Sequence, residues 1–317
     1  MNHKSHNAFT IKKVKMTKKK HPKIAILMAV YNGMLFIEDQ IQSILAQKNV
    51  QLDIYISVDK SNDGSYEWCK NFAKKNTNIE ILQYGERYGS ASSNFFRLFY
   101  DVEFKGYDFI SLADQDDIWL SNKLDHAVKV MSNNSIKGFS SDVLTFDKNG
   151  KQTLIKKSFN QKKYDYYFES AGPGCTYVLN VISAQKFKSF LISNFSKLNK
   201  INNHDWLIYA FFRKKEMKWH IDSKPMMRYR NHGSNLMGPN IGLAALLKRL
   251  NLINTNWYSN EVYLILSSLS SKDHSKIIFD KVFLVKNFLQ LRRSPKEAYF
   301  LLFMLLTNII KINRIGS

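Results

Sequence analysis

Cysteine is almost absent. Cys69 and Cys175 are the only two in 317 residues, too few for a disulfide framework or a paired-cysteine zinc site, and they fit a reducing cytoplasm. Five prolines and thirteen glycines, scattered along the chain, exclude collagen-like and low-complexity architectures. No internal repeat is visible. Long apolar runs are also missing: the longest, Ala298–Ile310, is interrupted by Thr307 and Asn308 and falls short of the ~20 residues a spanning helix needs. The basic opening Lys12–Lys20 leads into Ile24–Val30, too short an apolar stretch for a secretory signal and without a small-residue cleavage site. These absences predict a cytoplasmic protein that is not integral to a membrane. Acids are scarce as well, 26 Asp and Glu against 47 Lys and Arg, for a formal net charge of +21. A surface that basic attracts nucleic acid, anionic lipid or phosphorylated substrates. Lysine excess in a chain rich in Asn and Ile also follows from compositional bias alone.

What is present is ordinary globular material, 44% hydrophobic and 23% charged, on a length that suits one large α/β domain or a domain with an extension. Residues 1–22 carry many lysines and no acid and read as a basic arm. From Lys23 the pattern changes. Ile24–Val30 is a buried-strand run ending in the turn Tyr31-Asn32-Gly33, and Ile37, Ile41, Ile44 and Leu45 follow at helical spacing. Strands are predicted at Leu52–Val58, Ile79–Tyr84 and Tyr107–Ala113, with helices at Tyr66–Lys75 and Asn94–Phe104 between them. That alternation indicates βαβ units and a parallel, nucleotide-fold-like sheet, in which ligands sit at the carboxyl ends of the strands. Beyond Trp119 the pattern loosens into strands of a mixed sheet at Gly138–Phe146 and Thr153–Lys157, helices at Val181–Ile192 and His204–Arg213, and one or two short strands in Trp219–Arg230. After Gly242 the chain reads as helical, at Leu243–Leu252, Tyr258–Leu269, Ile277–Leu291 and Lys296–Ile312.

Asp114-Gln115-Asp116-Asp117 directly follows a strand, which pins three carboxylates at a sheet rim. Like charges that close repel, and Mg²⁺ or Mn²⁺, which favour carboxylate and phosphate oxygens, would neutralise them. A solvated turn or helix N-cap is the competing reading.

Four motifs in order, Val30-Tyr31-Asn32-Gly33, Asp59 to Ser65, Gly89 with Asn94, and Asp114-Gln115-Asp116-Asp117-Ile118-Trp119, together resemble the family 2 glycosyltransferases of GT-A fold. The resemblance spans Lys23 to Gly238 and is greatest to the bacterial rhamnosyltransferase-like branch. It implies a GT-A nucleotide-diphospho-sugar transferase domain over 23–240, a Rossmann-like mixed sheet with flanking helices; the helical basic extension over 241–317 lies outside the resemblance. It also implies that Tyr31 and Asp59 border a uracil or thymine base, and that Asn32, Arg87, Gly89, Asn94 and Gln115 lie on the donor side. Many members have paired acids where this chain has Val58-Asp59, which leaves one base-reading carboxylate. Asp114, Asp116 and His232 are the implied ligands of Mn²⁺ or Mg²⁺, and Arg230 a diphosphate partner. Asn203-His204-Asp205-Trp206 resembles the family's acidic motif and makes Asp205 the implied catalytic base of an inverting displacement, although an Asp at a helix start is by itself commonly an N-cap. Asp117, Trp119, Gly174, Cys175, His204 and Trp206 are implied on the acceptor side.

The expected activity is transfer of rhamnose or a hexose from a dTDP- or UDP-sugar to a saccharide, such as an undecaprenyl-diphosphate-linked oligosaccharide, in bacterial surface polysaccharide synthesis. Leu246 to Ile253, with Lys248 and Arg249, and the basic trio Arg292, Arg293 and Lys296 before Tyr299–Leu306 suit an anionic membrane surface, which would make the protein peripheral at the inner face of the cytoplasmic membrane; packing on the core is the alternative. A sugar-nucleotide nucleotidyltransferase would carry a Gly-rich basic loop after the first strand, which this chain lacks. A nucleic-acid-binding protein would carry a reader motif, also lacking, so no nucleic-acid partner is expected. Oligomeric state is not legible.

Overall fold

The computed structural model describes residues 21–231, 257–270 and 280–310. In chain order the first elements are β1 (Lys23–Val30), α1 (Ile37–Leu45), β2 (Gln51–Val58), α2 (Ser65–Ala73), β3 (Ile79–Ile81), α3 (Ala91–Asp101) and β4 (Phe109–Ala113). β1 pairs in parallel with β2 on one side and β4 on the other, and β3 continues the sheet beyond β2. The apolar continuity of β1 has a simple cause: both of its faces are covered. Ile24, Ile26, Met28 and Val30 point to a cluster completed by α1, while Ala25, Leu27 and Ala29 point to one completed by α3.

The second half explains why its pattern loosened. β5 (Ile118–Trp119) and α4 (Lys123–Asn133) lead to β6 (Gly138–Ser141) and β7 (Val143–Phe146), with β8 (Gln152–Ile155) following. The stretch 138–146 read as one strand is two, and they belong to different sheets. Asp142 makes the break: its buried carboxylate accepts from the backbone N–H groups of Lys157 and Ser158 and from the Ser158 hydroxyl. β9 (Val178–Asn180), which sequence periodicity missed, enters antiparallel between β4 and β6 and makes the sheet mixed. Then come α5 (Val181–Ser193), α6 (Phe195–Leu198), α7 (His204–Lys214), β10 (Trp219–Asp222) and β11 (Met227–Arg230). The main sheet has the order β10-β6-β9-β4-β1-β2-β3, and a smaller one has the order β5-β11-β7-β8.

Three further helices are described: α8 (Trp257–Leu269), α9 (Lys281–Lys286) and α10 (Pro295–Leu306). Their Val262, Ile265, Leu266, Leu284, Leu301 and Leu305 lie in the same core cluster as Phe95, Leu207 and Phe211. Two of the three basic residues expected on a membrane-facing side turn inward instead, whereas Lys296 is exposed. Arg293 is only 2% exposed and turns inward, 3.1 Å from Asp165 and 3.2 Å from Glu169, and donates to the Ser170 carbonyl. Arg292 pairs with Glu297 at 2.7 Å and donates to the Phe168 carbonyl. A guanidinium buried among apolar side chains must be paired, and here the pairing ties the last helices to residues 165–170. Residues 1–20 of the arm and the expected helix at Leu243–Leu252 lie outside the described residues. Among the described residues no helix is long and apolar enough to cross a membrane.

Candidate active site

The carboxyl ends of β1, β2 and β4 lie side by side and gather three of the polar loops. Asn32 adopts a left-handed φ of 46°. Its N–H donates to Ser61 Oγ, and its side-chain oxygen accepts from Asn62 N, which joins the first loop to the second. Gln115 reaches across from the fourth loop, accepting from Tyr31 N at 2.7 Å and donating to Tyr31 O at 2.9 Å. The close approach leaves no space for a side chain at Gly33, where a Cβ would lie 2.6 Å from Gln115 Oε1. Asp59 is buried and accepts from the N–H groups of Lys60, Tyr88 and Gly89, so it holds the Gly85–Gly89 loop over the sheet. Tyr31, Arg87 and Gly89 are exposed around this rim.

Within the acidic loop the cluster differs from the expected one. Oxygens of Asp114 and Asp117 and the sulfur of Cys175 lie within 4.8 Å of one another. Asp117 and Cys175 are fully buried. Burial, reinforced by the neighbouring Asp116 and Asp205 charges, pushes the Asp114 carboxyl up to about 7. Burial and the charges of Asp116 and Asp114 likewise hold the Asp117 carboxyl well above the usual carboxylate range. Asp117 Oδ1 accepts from Arg230 N at 3.2 Å, while Oδ2 is buried without a hydrogen-bond partner. The Cys175 thiol is pushed up by burial and by both carboxylates, so it stays protonated and is a poor cation ligand. Arg230 braces the loop from outside: Nε donates to the Asp116 carbonyl, the guanidinium pairs with Asp39 at 3.1 Å, and it lies 4.7 Å from the Phe36 ring and 4.8 Å from the Phe146 ring.

Asp205 opens α7, and its Oδ1 accepts from Trp206 N at 2.7 Å. Burial raises its carboxyl to about 6, with the Trp206 N–H and the nearby Lys157 ammonium opposing the rise. Residues 174 and 175 connect it to the acidic loop: Cys175 touches Asp114 and Asp117, while Gly174 lies against His204 and Asp205. His204 stacks on Phe95 at 4.1 Å and its backbone N–H donates to Ser92 Oγ, and burial drives its imidazole down to about 3, which keeps it neutral. A Cβ at position 174 would lie 2.6 Å from His204 Nε2 and 3.4 Å from the Asp205 Cβ. Gly174→Ala is therefore expected to lower thermal stability by about 1–3 kcal/mol through overpacking and to displace the Asp205 carboxyl. Paired melting and transfer assays check this, and a variant with unchanged melting would show that the imidazole swings clear.

Several expected contacts become supports. Asn94 is 2% exposed, and its amide joins β1 to β2 through the Val30 and Ser57 carbonyls and the Ser57 hydroxyl. Trp119 packs in the core under the Lys123 ammonium, 3.5 Å from its ring centroid, and Trp206 donates its indole N–H to the Tyr166 carbonyl. Both are buried and serve the packing of the core. Asp117, Gly174 and Cys175 form floor, and Asp117 does not cap α4, which begins after Asn122. His232 lies outside the described residues. Two lysines escaped sequence reasoning: Lys157, whose charge acts on Asp205, and Lys123, buried without a hydrogen-bond partner and pushed down to about 7 by burial. Nothing in their spacing separates them from the many surface lysines.

The rim thus offers hard oxygen donors for a divalent cation and, across Gly174-Cys175, a carboxylate able to accept a proton near neutrality. Residues 25–191 match the family described as "Glycosyl transferase family 2". The chain is 38% identical over 288 residues to the dTDP-rhamnosyl transferase RfbG of Shigella flexneri, covering 89% of this chain and all of that protein. It is 25% identical over 158 residues to an Escherichia coli protein named UDP-Glc:alpha-D-GlcNAc-diphosphoundecaprenol beta-1,3-glucosyltransferase WfgD, covering 49% of this chain and 59% of that one. In fold it resembles the S. aureus TarS fragment 1-349 crystallised with UDP, with a TM-score of 0.53 at 14% identity over 84% of this chain and 72% of that one.

Proposed function

We infer the reaction from one premise: the chain belongs to glycosyl transferase family 2, has the GT-A fold, and so is an enzyme that moves a sugar from a nucleotide-sugar to a saccharide acceptor. The nucleotidyltransferase and nucleic-acid readings give way to that assignment. The proposed donor is dTDP-rhamnose, supported by the relative from Shigella flexneri that aligns along its whole length. The proposed acceptor is a lipid-linked oligosaccharide of bacterial surface polysaccharide synthesis, met at the inner face of the cytoplasmic membrane; the diphosphoundecaprenol in the name of the Escherichia coli relative supports it.

The carrying observation is the proximity of Asp205 to the Asp114–Asp117 loop: Gly174 lies against Asp205, the adjacent Cys175 lies against Asp114 and Asp117, and the Asp205 charge acts on Asp114. The donor set fits Mg²⁺ or Mn²⁺: carboxylate oxygens of Asp114 and Asp117, one of them buried without a partner, with Asp116 adjacent. A bound cation would supply charge stabilisation to the departing diphosphate. Tyr31 and Arg87 border the donor, and Asp59, Gln115 and Arg230 hold the loops that shape its pocket. Asp205 removes the proton from the acceptor hydroxyl as that oxygen bonds to the anomeric carbon. The bond from that carbon to the diphosphate oxygen breaks, its electron pair leaves with the nucleoside diphosphate, and the configuration inverts.

The test is a panel of nucleotide-sugars with Mg²⁺ or Mn²⁺, read by thermal shift and donor hydrolysis. dTDP-rhamnose is expected to raise the melting temperature most and to turn over. A UDP-hexose doing so instead would overturn the donor assignment, and silence across the panel would overturn the mechanism.

A further inference from the structure

We propose that the outer face of the α9–α10 hairpin is a docking surface for an anionic lipid bilayer. The proposal rests on the lipid-linked acceptor for its purpose, and its own evidence is separate. On α10, Ala298, Leu301 and Leu305 fill the core, whereas Tyr299, Phe303 and Leu306 recur at helical spacing on the opposite face and are 59%, 56% and 57% exposed. Val282 of α9 and Leu289 of the following turn are exposed as well, and the Phe288 and Tyr299 rings, 5.2 Å apart, join the turn to α10. Contiguous exposed apolar side chains of this size mark an interaction surface.

Charge selects the partner. Between residues 281 and 310 the only acid is Glu297, and it is paired with Arg292. Lys281, Lys286 and Lys296 are exposed, and Lys281 reaches Asn308 Oδ1 at 2.7 Å, which places its ammonium beside the end of the apolar stripe. Asp280, at the edge, caps α9 through Phe283 N. Apolar side chains ringed by lysines match an interface of acyl chains and anionic headgroups, where lysine stems lie along the apolar zone and their ammonium groups meet phosphate. The hairpin is also tied to the reaction centre. Arg292 and Arg293 bind it to residues 165–170, the segment that leads into the Gly174-Cys175 loop. A membrane held on this face would therefore stand at a set position relative to the acceptor side of the cleft.

The test is co-sedimentation of the full chain with vesicles of phosphatidylcholine alone or mixed with phosphatidylglycerol. The wild type is expected to bind the mixed vesicles at least tenfold better than the neutral ones. Phe303→Ser with Leu306→Ser, and separately Lys281→Glu with Lys286→Glu and Lys296→Glu, should each weaken binding about tenfold or more, with melting temperature and vesicle-free donor hydrolysis unchanged. Tyr299→Ser alone gives a milder loss and guards against misfolding of the double variant. Undiminished vesicle binding by both multiple variants would overturn the proposal. So would gel filtration showing a wild-type dimer that the apolar double variant dissolves, since a second copy would then own the face. Donor hydrolysis without vesicle binding sinks the docking surface alone, whereas vesicle binding without turnover of any nucleotide-sugar sinks the catalytic reading alone.

Discussion

Asp205→Asn should lower sugar transfer about a thousandfold while leaving donor binding intact, because the amide keeps the shape of the carboxylate and cannot accept the proton of the acceptor hydroxyl. Donor affinity by thermal shift and transfer by product formation separate the two effects. A variant that transfers at the normal rate would place the base elsewhere. The wild-type rate should fall as pH drops through about 6, the value to which burial raises this carboxyl, since only the ionised form is a base. Lys157 opposes that rise by favouring the charged form. Lys157→Ala should therefore raise the Asp205 pKa and move the acidic limb of the pH profile upward. A limb that stays put or moves down would show that Lys157 does not act on the base.

Asp117→Asn should have opposite effects on stability and on activity. In the cation-free protein, Asp117 is a buried carboxylate with one oxygen unpartnered and with Asp114 and Asp116 close by. Burial and those charges hold its carboxyl well above the usual carboxylate range, so at neutral pH folding must protonate it; Asn needs no proton and is expected to stabilise the protein by about 1–3 kcal/mol. The same change should abolish most of the melting-temperature gain that Mg²⁺ or Mn²⁺ gives the wild type, and most of the transfer activity with it. Asp116→Ala should raise the cation concentration needed for donor binding. Melting curves with and without cation check both variants; an Asp117→Asn protein that melts lower without cation would show that its carboxylate is already satisfied.

The positions of these residues were legible to different degrees. The βαβ order through β4 follows from local rules: strands covered on both faces must be continuously apolar, and Asn32 and Gly33 punctuate the turn. The four polar strand ends, the acidic loop among them, followed from that order, whereas Asp205 at the start of a helix was singled out only by its resemblance to the family's acidic motif. β9 has only three residues and no alternation of its own, because its pairing is supplied by β4 and β6 from distant parts of the chain. The break at Asp142 was hidden for the same reason: its hydrogen-bond partners are 15 and 16 residues away.

Local sequence therefore determined the strand-helix rhythm and the residues at the strand ends, because propensity and turn chemistry act between near neighbours. Only the tertiary structure decided which of three adjacent carboxylates is buried, that a cysteine lies beneath them, that Arg293 points into the core while Phe303 points out, and that Lys157 acts on Asp205. Each of these depends on burial and charge at short range in space between residues far apart in the chain. A carboxylate or ammonium changes its chemistry with its surroundings, and those surroundings exist only once the sheet has brought its loops together.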